Sequence, residues 1–152
     1  MSLALSRTTV LRAACATALA TGVLAAGLPG IAAAAPAAVG NFRVSVVVKN
    51  HTDMVLTLSD FEVTEGQWTD DPPDTIADGG TGRMETRSLA VGGTSGSATF
   101  SSDDGDIVIS WIDPPGAANV FTCTAPSELS CAAKGPAWVS KPKVTVDIDE
   151  RA

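Results

Sequence analysis

The sequence predicts an all-β fold, a single antiparallel β-sandwich behind a cleaved signal peptide, and three observations predict it. Nothing beyond residue 38 carries a helical period. Short β-branched runs recur there instead, separated by clusters of Gly, Pro, Asn and Asp. Where alternation is clean, as in Val144-Thr-Val-Asp-Ile-Asp149, it has the period of two of a half-buried strand. Seven or eight such strands with no helix bury their apolar faces only by stacking two sheets or closing one.

The elements follow in order. Arg43 to Lys49 is short and β-branched, bounded by Gly40-Asn41 and Asn50-His51-Thr52-Asp53, and reads as a strand and a turn. Met54 to Glu65 alternates at 54, 56 and 58, then shifts phase to 61 and 63. A one-residue phase change swaps the faces of a strand, so a bulge is expected near Ser59-Asp60. Gly66 to Glu85 carries Trp68, Pro72-Pro73 and glycines at 66, 79, 80 and 82, and is expected to be a fixed, turn-rich connection. Arg83 to Val91 reads as a strand, Gly92 to Gly96 as a turn, and Ser97 to Ser101 as the next strand. Asp103-Asp104-Gly105-Asp106 reads as a hairpin turn into Ile107–Trp111, the most apolar strand. Asn119 to Thr124 leads into a short Cys-bounded loop, and Val144 to Asp149 ends the domain.

The ends set the compartment. Arg7 and Arg12, the apolar run Ala13–Leu28 and the alanines of 31–38 make residues 1–37 a signal peptide, with A-x-A-like cleavage options between Ala34 and Ala38. Val10–Ala38 could also span a bilayer, but Pro29, Gly30 and Pro36 favour cleavage. Residues 38–152 then form one domain, exported to the extracellular side. All 17 acidic residues lie beyond position 50, and two of the ten basic residues leave with the leader, so the mature charge is 8 − 17 = −9. Such a surface repels nucleic acid and anionic lipid. Cys15 leaves too. Cys123 and Cys131 remain as an even pair across a short spacer containing Pro126, which outside the cytosol forms a disulfide. With a single distant His, two thiols make a poor zinc set.

One order of motifs stands out: Gly66-x-Trp68, Pro72-Pro73, Ile76, the Gly-rich turn at 79–82, Glu85, Ser88, Gly93-x-x-Gly96 and Ile109-Ser-Trp-Ile-Asp-Pro114. It resembles the aegerolysin family, and most the bacterial branch that includes small insecticidal crystal proteins. The likeness spans roughly Val44 to Asn119. It implies a compact secreted β-sandwich that recognises membrane lipids, in some members together with a larger pore-forming partner protein. The chain departs from the family at Trp111-Ile-Asp-Pro-Pro115, where members often carry Trp-Asp-Asn-Pro-Tyr. It has no Tyr at all, and the cysteine pair is not a family feature.

Catalytic chemistry finds little support. His51 is the only histidine, it sits in a turn, and no Gly-x-Ser-x-Gly elbow exists. Asp103, Asp104 and Asp106 lack the spacing and closing Glu of a calcium loop, and Asp70, Asp71, Asp74 and Asp78 read as a solvated patch. No catalytic residue, cofactor or metal is therefore expected. Trp68, Trp111, Asp113 and Trp138 are the candidate lipid- or ligand-binding residues. Core packing is the plainer reading of Trp111, and Trp138 stands in the basic cluster Lys134–Lys143. The expected function is recognition of membrane lipid on a target cell. The alternatives are a secreted protein- or glycan-binding module and, more weakly, a proteinase inhibitor presenting the disulfide loop.

Overall fold

Ten strands and no helix occupy the described residues, 41–89 and 91–151 of this computed structural model; the expected signal peptide lies outside them. In chain order they are β1 (Arg43–Asn50), β2 (Leu56–Glu65), β3 (Gln67–Asp70), β4 (Thr75–Ile76), β5 (Thr81–Arg87), β6 (Thr94–Ser102), β7 (Gly105–Asp113), β8 (Val120–Thr124), β9 (Leu129–Lys134) and β10 (Lys143–Glu150). They form two five-stranded sheets, ordered β3-β5-β1-β10-β9 and β4-β2-β6-β7-β8. Every paired neighbour is antiparallel except β1 and β10, which run parallel from Ser45↔Lys143 to Asn50↔Ile148. First and last strands can pair this way because no short turn has to join them.

The alternation read in the sequence becomes the core. Val44, Val46 and Val48 of β1 and Val144, Val146 and Ile148 of β10 face Leu56, Phe100, Ile107, Ile109 and Trp111 of the second sheet, all buried. Each such side chain contributes about 1.5–3 kcal/mol by leaving water. The phase change in β2 is a real irregularity: its register against β6 shifts between Leu58 and Asp60, and again between Val63 and Glu65. Asn50, buried at the end of β1, satisfies its neighbourhood by donating from Nδ2 to the carbonyls of Met54 (2.7 Å) and Ala77 (2.9 Å), while its Oδ1 accepts from Thr52.

Three expectations need correction. Residues 66–85 are not an irregular connection, since they hold β3, β4 and the start of β5. Gly66, at φ +98°, turns the chain from one sheet to the other where a Cβ would collide with the carbonyl of Arg87. The strand expected to reach Val91 stops at Arg87, and β6 starts early, at Thr94. The cysteine loop contains a further strand, β9, and β8 and β9 belong to different sheets. The Cys123–Cys131 disulfide, with Cα atoms 5.6 Å apart, therefore ties the two layers together at their edges.

Candidate functional site

The strand registers place the loops at two ends, and the ends differ in chemistry. Residues 88–89, 91–93, 114–119 and 135–142 lie at the end where β1 and β10 begin and where β5, β7 and β9 finish, and Lys141, next to β10, is the one Asp, Glu, Lys or Arg among them. The opposite end is made by residues 51–55, 71–74, 77–80, 103–104 and 125–128. These carry Asp53, Asp71, Asp74, Asp78, Asp103, Asp104 and Glu128, and no Lys or Arg.

The loops of the first end are fastened to one another. Asn119 donates from its backbone to the carbonyl of Ala137 (2.7 Å) and from Nδ2 to those of Pro136 (3.0 Å) and Val139 (2.8 Å). A short polar residue among prolines and alanines thus supplies the hydrogen bonds that its neighbours' side chains cannot. Phe42 and Ser88 bond reciprocally, and the Arg43 amide donates to the carbonyl of Ser140 at 3.0 Å. Gly93 lies so close to the carbonyl of Asp113 that a Cβ there would overlap it. Between these segments is a cleft of about 300 Å³, lined among others by Phe42, Asp113, Pro114, Asn119 and Trp138.

Asp113, the last residue of β7, is 1% exposed, and its Oδ2 has no hydrogen-bond partner. Burial pushes its carboxyl up to about 6, because a charge there has lost its water. Trp138 is the opposite case, 76% exposed at the loop tip, with Val139 (45%) beside it and Leu89 (71%) and Val91 (69%) on the loop after β5.

No protein-family model matches the chain, and no curated protein sequence does. Among solved structures it is similar to the crystal structure of the lipid binding protein Nakanori, with a TM-score of 0.57 at 14% identity over 72% of each chain. That likeness is one of fold.

On this scaffold the four candidate binding residues separate into two pairs. Asp113 and Trp138 line the same cleft although 25 positions separate them in the chain. Trp111 is 2% exposed, and its indole N–H donates to Thr86 Oγ1 at 2.9 Å. Trp68 packs edge-on against it (centroids 5.5 Å apart, 72°) and against Phe61 (5.7 Å, 64°), so these rings close the open side of the sandwich. Sequence reasoning missed Phe42, Leu89, Val91, Asn119 and Val139. The signal that could have found them is the scarcity of charge in three separate loops, which acquires meaning only when they meet.

His51 Nε2 lies 3.6 Å from Asp147 Oδ1, near the acidic end. Asp103 and Asp104 make the β6–β7 hairpin turn, where Ser101 Oγ donates to Asp106 Oδ1 at 2.7 Å. Among the described residues no cluster of three or more His, Cys, Asp or Glu could hold a metal ion.

Proposed function

We propose that this is a secreted, non-enzymatic protein that recognises membrane lipid, and that it meets the membrane with the end that carries Trp138, Leu89 and Val91. One observation carries the reading: three loops whose one charged residue is Lys141 converge and leave Trp138, Val139, Leu89 and Val91 facing solvent. Large exposed apolar side chains gathered at one end of an otherwise acidic domain mark an interaction surface. Trp is the side chain that favours the boundary between headgroups and hydrocarbon. Each of the four would contribute about 1.5–3 kcal/mol on leaving water, offset by the loss of free tumbling on binding. The seven loop carboxylates of the opposite end would then point into solvent, where their hydration costs nothing.

Two further observations support the reading. The chain shares its fold with a lipid-binding protein, and its motif order resembles that of aegerolysins, nearest to their bacterial branch. The Cys123–Cys131 bridge suits an oxidising, extracytosolic compartment. Joint action with a pore-forming partner rests on the resemblance alone.

The test is co-sedimentation of the protein, recovered from the medium of an expressing host, with neutral, sphingolipid and anionic vesicles. Wild type should bind at least one vesicle type with a blue shift in Trp emission. Trp138→Ala combined with Leu89→Ser should weaken binding at least about tenfold, half or less of what two apolar side chains are worth. The melting temperature should stay unchanged, because both residues are exposed. Absence of wild-type binding to every vesicle type would overturn the proposal.

A further inference from the structure

A net charge of −9 predicts repulsion of every anion, but the fold sorts that charge by face. Alternate positions of β1, β5 and β10 point outward from the first sheet, and seven of the eight Lys and Arg among the described residues lie on or beside that face; the exception is Arg151. In its lower half the cations are compensated. Lys49 and Lys134 lie 3.9 Å and 3.5 Å from the carboxylate of Asp147.

In its upper half they are not. A groove of about 350 Å³ is lined by Arg43, Ser45, Arg83, Glu85, Lys141 and Lys143. Glu85 is its one carboxylate, 3.2 Å from Arg43 and also accepting a hydrogen bond from Thr69. Among the described residues no carboxylate comes within ion-pair distance of Arg83, Lys141 or Lys143. Four cations against one acid leave the groove at 4 − 1 = +3, in a domain whose other side chains sum to −12. Like charges gathered on neighbouring strands repel, and a chain with 17 acidic residues has not used them to relieve this.

We propose that this groove is a phosphate-binding site, taking a phosphate ester with no compensating cation of its own. Arg43 and Arg83 offer planar guanidinium forks matched to phosphate oxygens, while Lys141 and Lys143 add point charges. Ser45, half-buried between Lys143 and Glu85 on the adjoining strands, adds a hydroxyl donor. Lys141 follows Val139 by two positions and Arg43 follows Phe42 directly, so the groove opens next to the end that carries Trp138. With that end in the membrane interface the groove stands at headgroup level. The ester is then that of an anionic phospholipid, and this part of the inference rests on the lipid reading. A soluble phosphate ester presents the same chemistry without it.

The experiment has two arms on the full protein recovered from the medium. In the first, inorganic phosphate and glycerol phosphate are titrated into labelled protein and amide shifts are recorded; shifts at Arg43, Ser45, Arg83 and Lys143 are expected. In the second, binding to phosphatidylcholine vesicles is compared with and without phosphatidic acid. The anionic lipid should strengthen binding, and Lys141→Gln/Lys143→Gln should weaken that gain by about fivefold for each cation removed. Binding to neutral vesicles should not change. Lys49→Gln/Lys134→Gln makes the same change in net charge outside the groove and should cost little. Equal losses in the two double variants, or no loss in the first, would overturn the site. Phosphate shifts without vesicle binding would support the groove with a soluble ester as its ligand and overturn the lipid reading. Neutral-vesicle binding with no phosphate shifts and no anionic gain would do the reverse.

Discussion

Replacing Asp113 with Asn should stabilise the protein at neutral pH and leave its stability nearly unchanged in acid. The side chain is 1% exposed, with Oδ2 unpartnered, so an ionised carboxylate there has exchanged hydration for little in return. Its carboxyl titrates at about 6 in the folded protein against an ordinary value of 3.8. Between those values the native state holds a proton that the unfolded chain has released. Stability is therefore greatest below the lower value and falls as pH rises through the upper one. The gap of 6 − 3.8, about two pH units, corresponds to a penalty approaching 3 kcal/mol at about 1.36 kcal/mol per unit. Asn has the shape of the protonated acid and never ionises, so it should recover most of that figure above pH 7. Urea unfolding of both proteins at pH 4, 5, 6 and 7, followed by Trp fluorescence, would measure it. Taking the difference at each pH cancels the titration of the other carboxylates. The difference should be below about 1 kcal/mol at pH 4 and level off above pH 6. A difference independent of pH, or a variant less stable than wild type at pH 7, would refute the assignment of the penalty to this carboxylate.

The Cys123–Cys131 bridge closes a separation of 8 residues, for which chain entropy gives about 2.5 kcal/mol. Cys123→Ser/Cys131→Ser should therefore lower the unfolding free energy from urea titration by that amount, and wild type with reductant should match it. Asn50→Ala would strip partners from the carbonyls of Met54 and Ala77 and from the amide and hydroxyl of Thr52. The expected loss is about 2–4 kcal/mol by thermal or urea melting; a loss below about 0.5 kcal/mol would show that these groups find other partners.

Local pattern made much of this protein readable before any coordinates. Val144–Ile148 announces itself because a sheet with one face in water imposes a period of two on its residues, and Val44–Val48 and Ile107–Trp111 do so as short, β-branched apolar runs between turn residues. The bulge at Ser59-Asp60 was legible for the same reason, as a break in that period. Short strands were less so. Gln67–Asp70 and Thr75–Ile76 carry too few residues for a period to show, with prolines and glycines around them that signal turns instead, and Leu129–Lys134, Leu-Ser-Cys-Ala-Ala-Lys, holds no β-branched or aromatic residue. Leu89 and Val91 misled in the other direction. They read as a continuing strand because exposed apolar loop residues have the same composition as a strand's buried face.

The candidate site divides along the same line. Asp113 and Trp138 could be named from the sequence, but their common cleft could not, because it depends on Asn119, the residue before β8, pinning residues 136–139 against the β7–β8 loop. The fold class, the cysteine pair and a strongly acidic average were all readable in the sequence, because they depend on residues near one another in the chain or on simple sums. The tertiary structure alone decided which loops share an end, that β1 and β10 pair in parallel, that the disulfide joins two sheets, and that the scarce cations gather on one face. Those facts turn on which distant segments become neighbours, and neither a composition nor a period of two contains that.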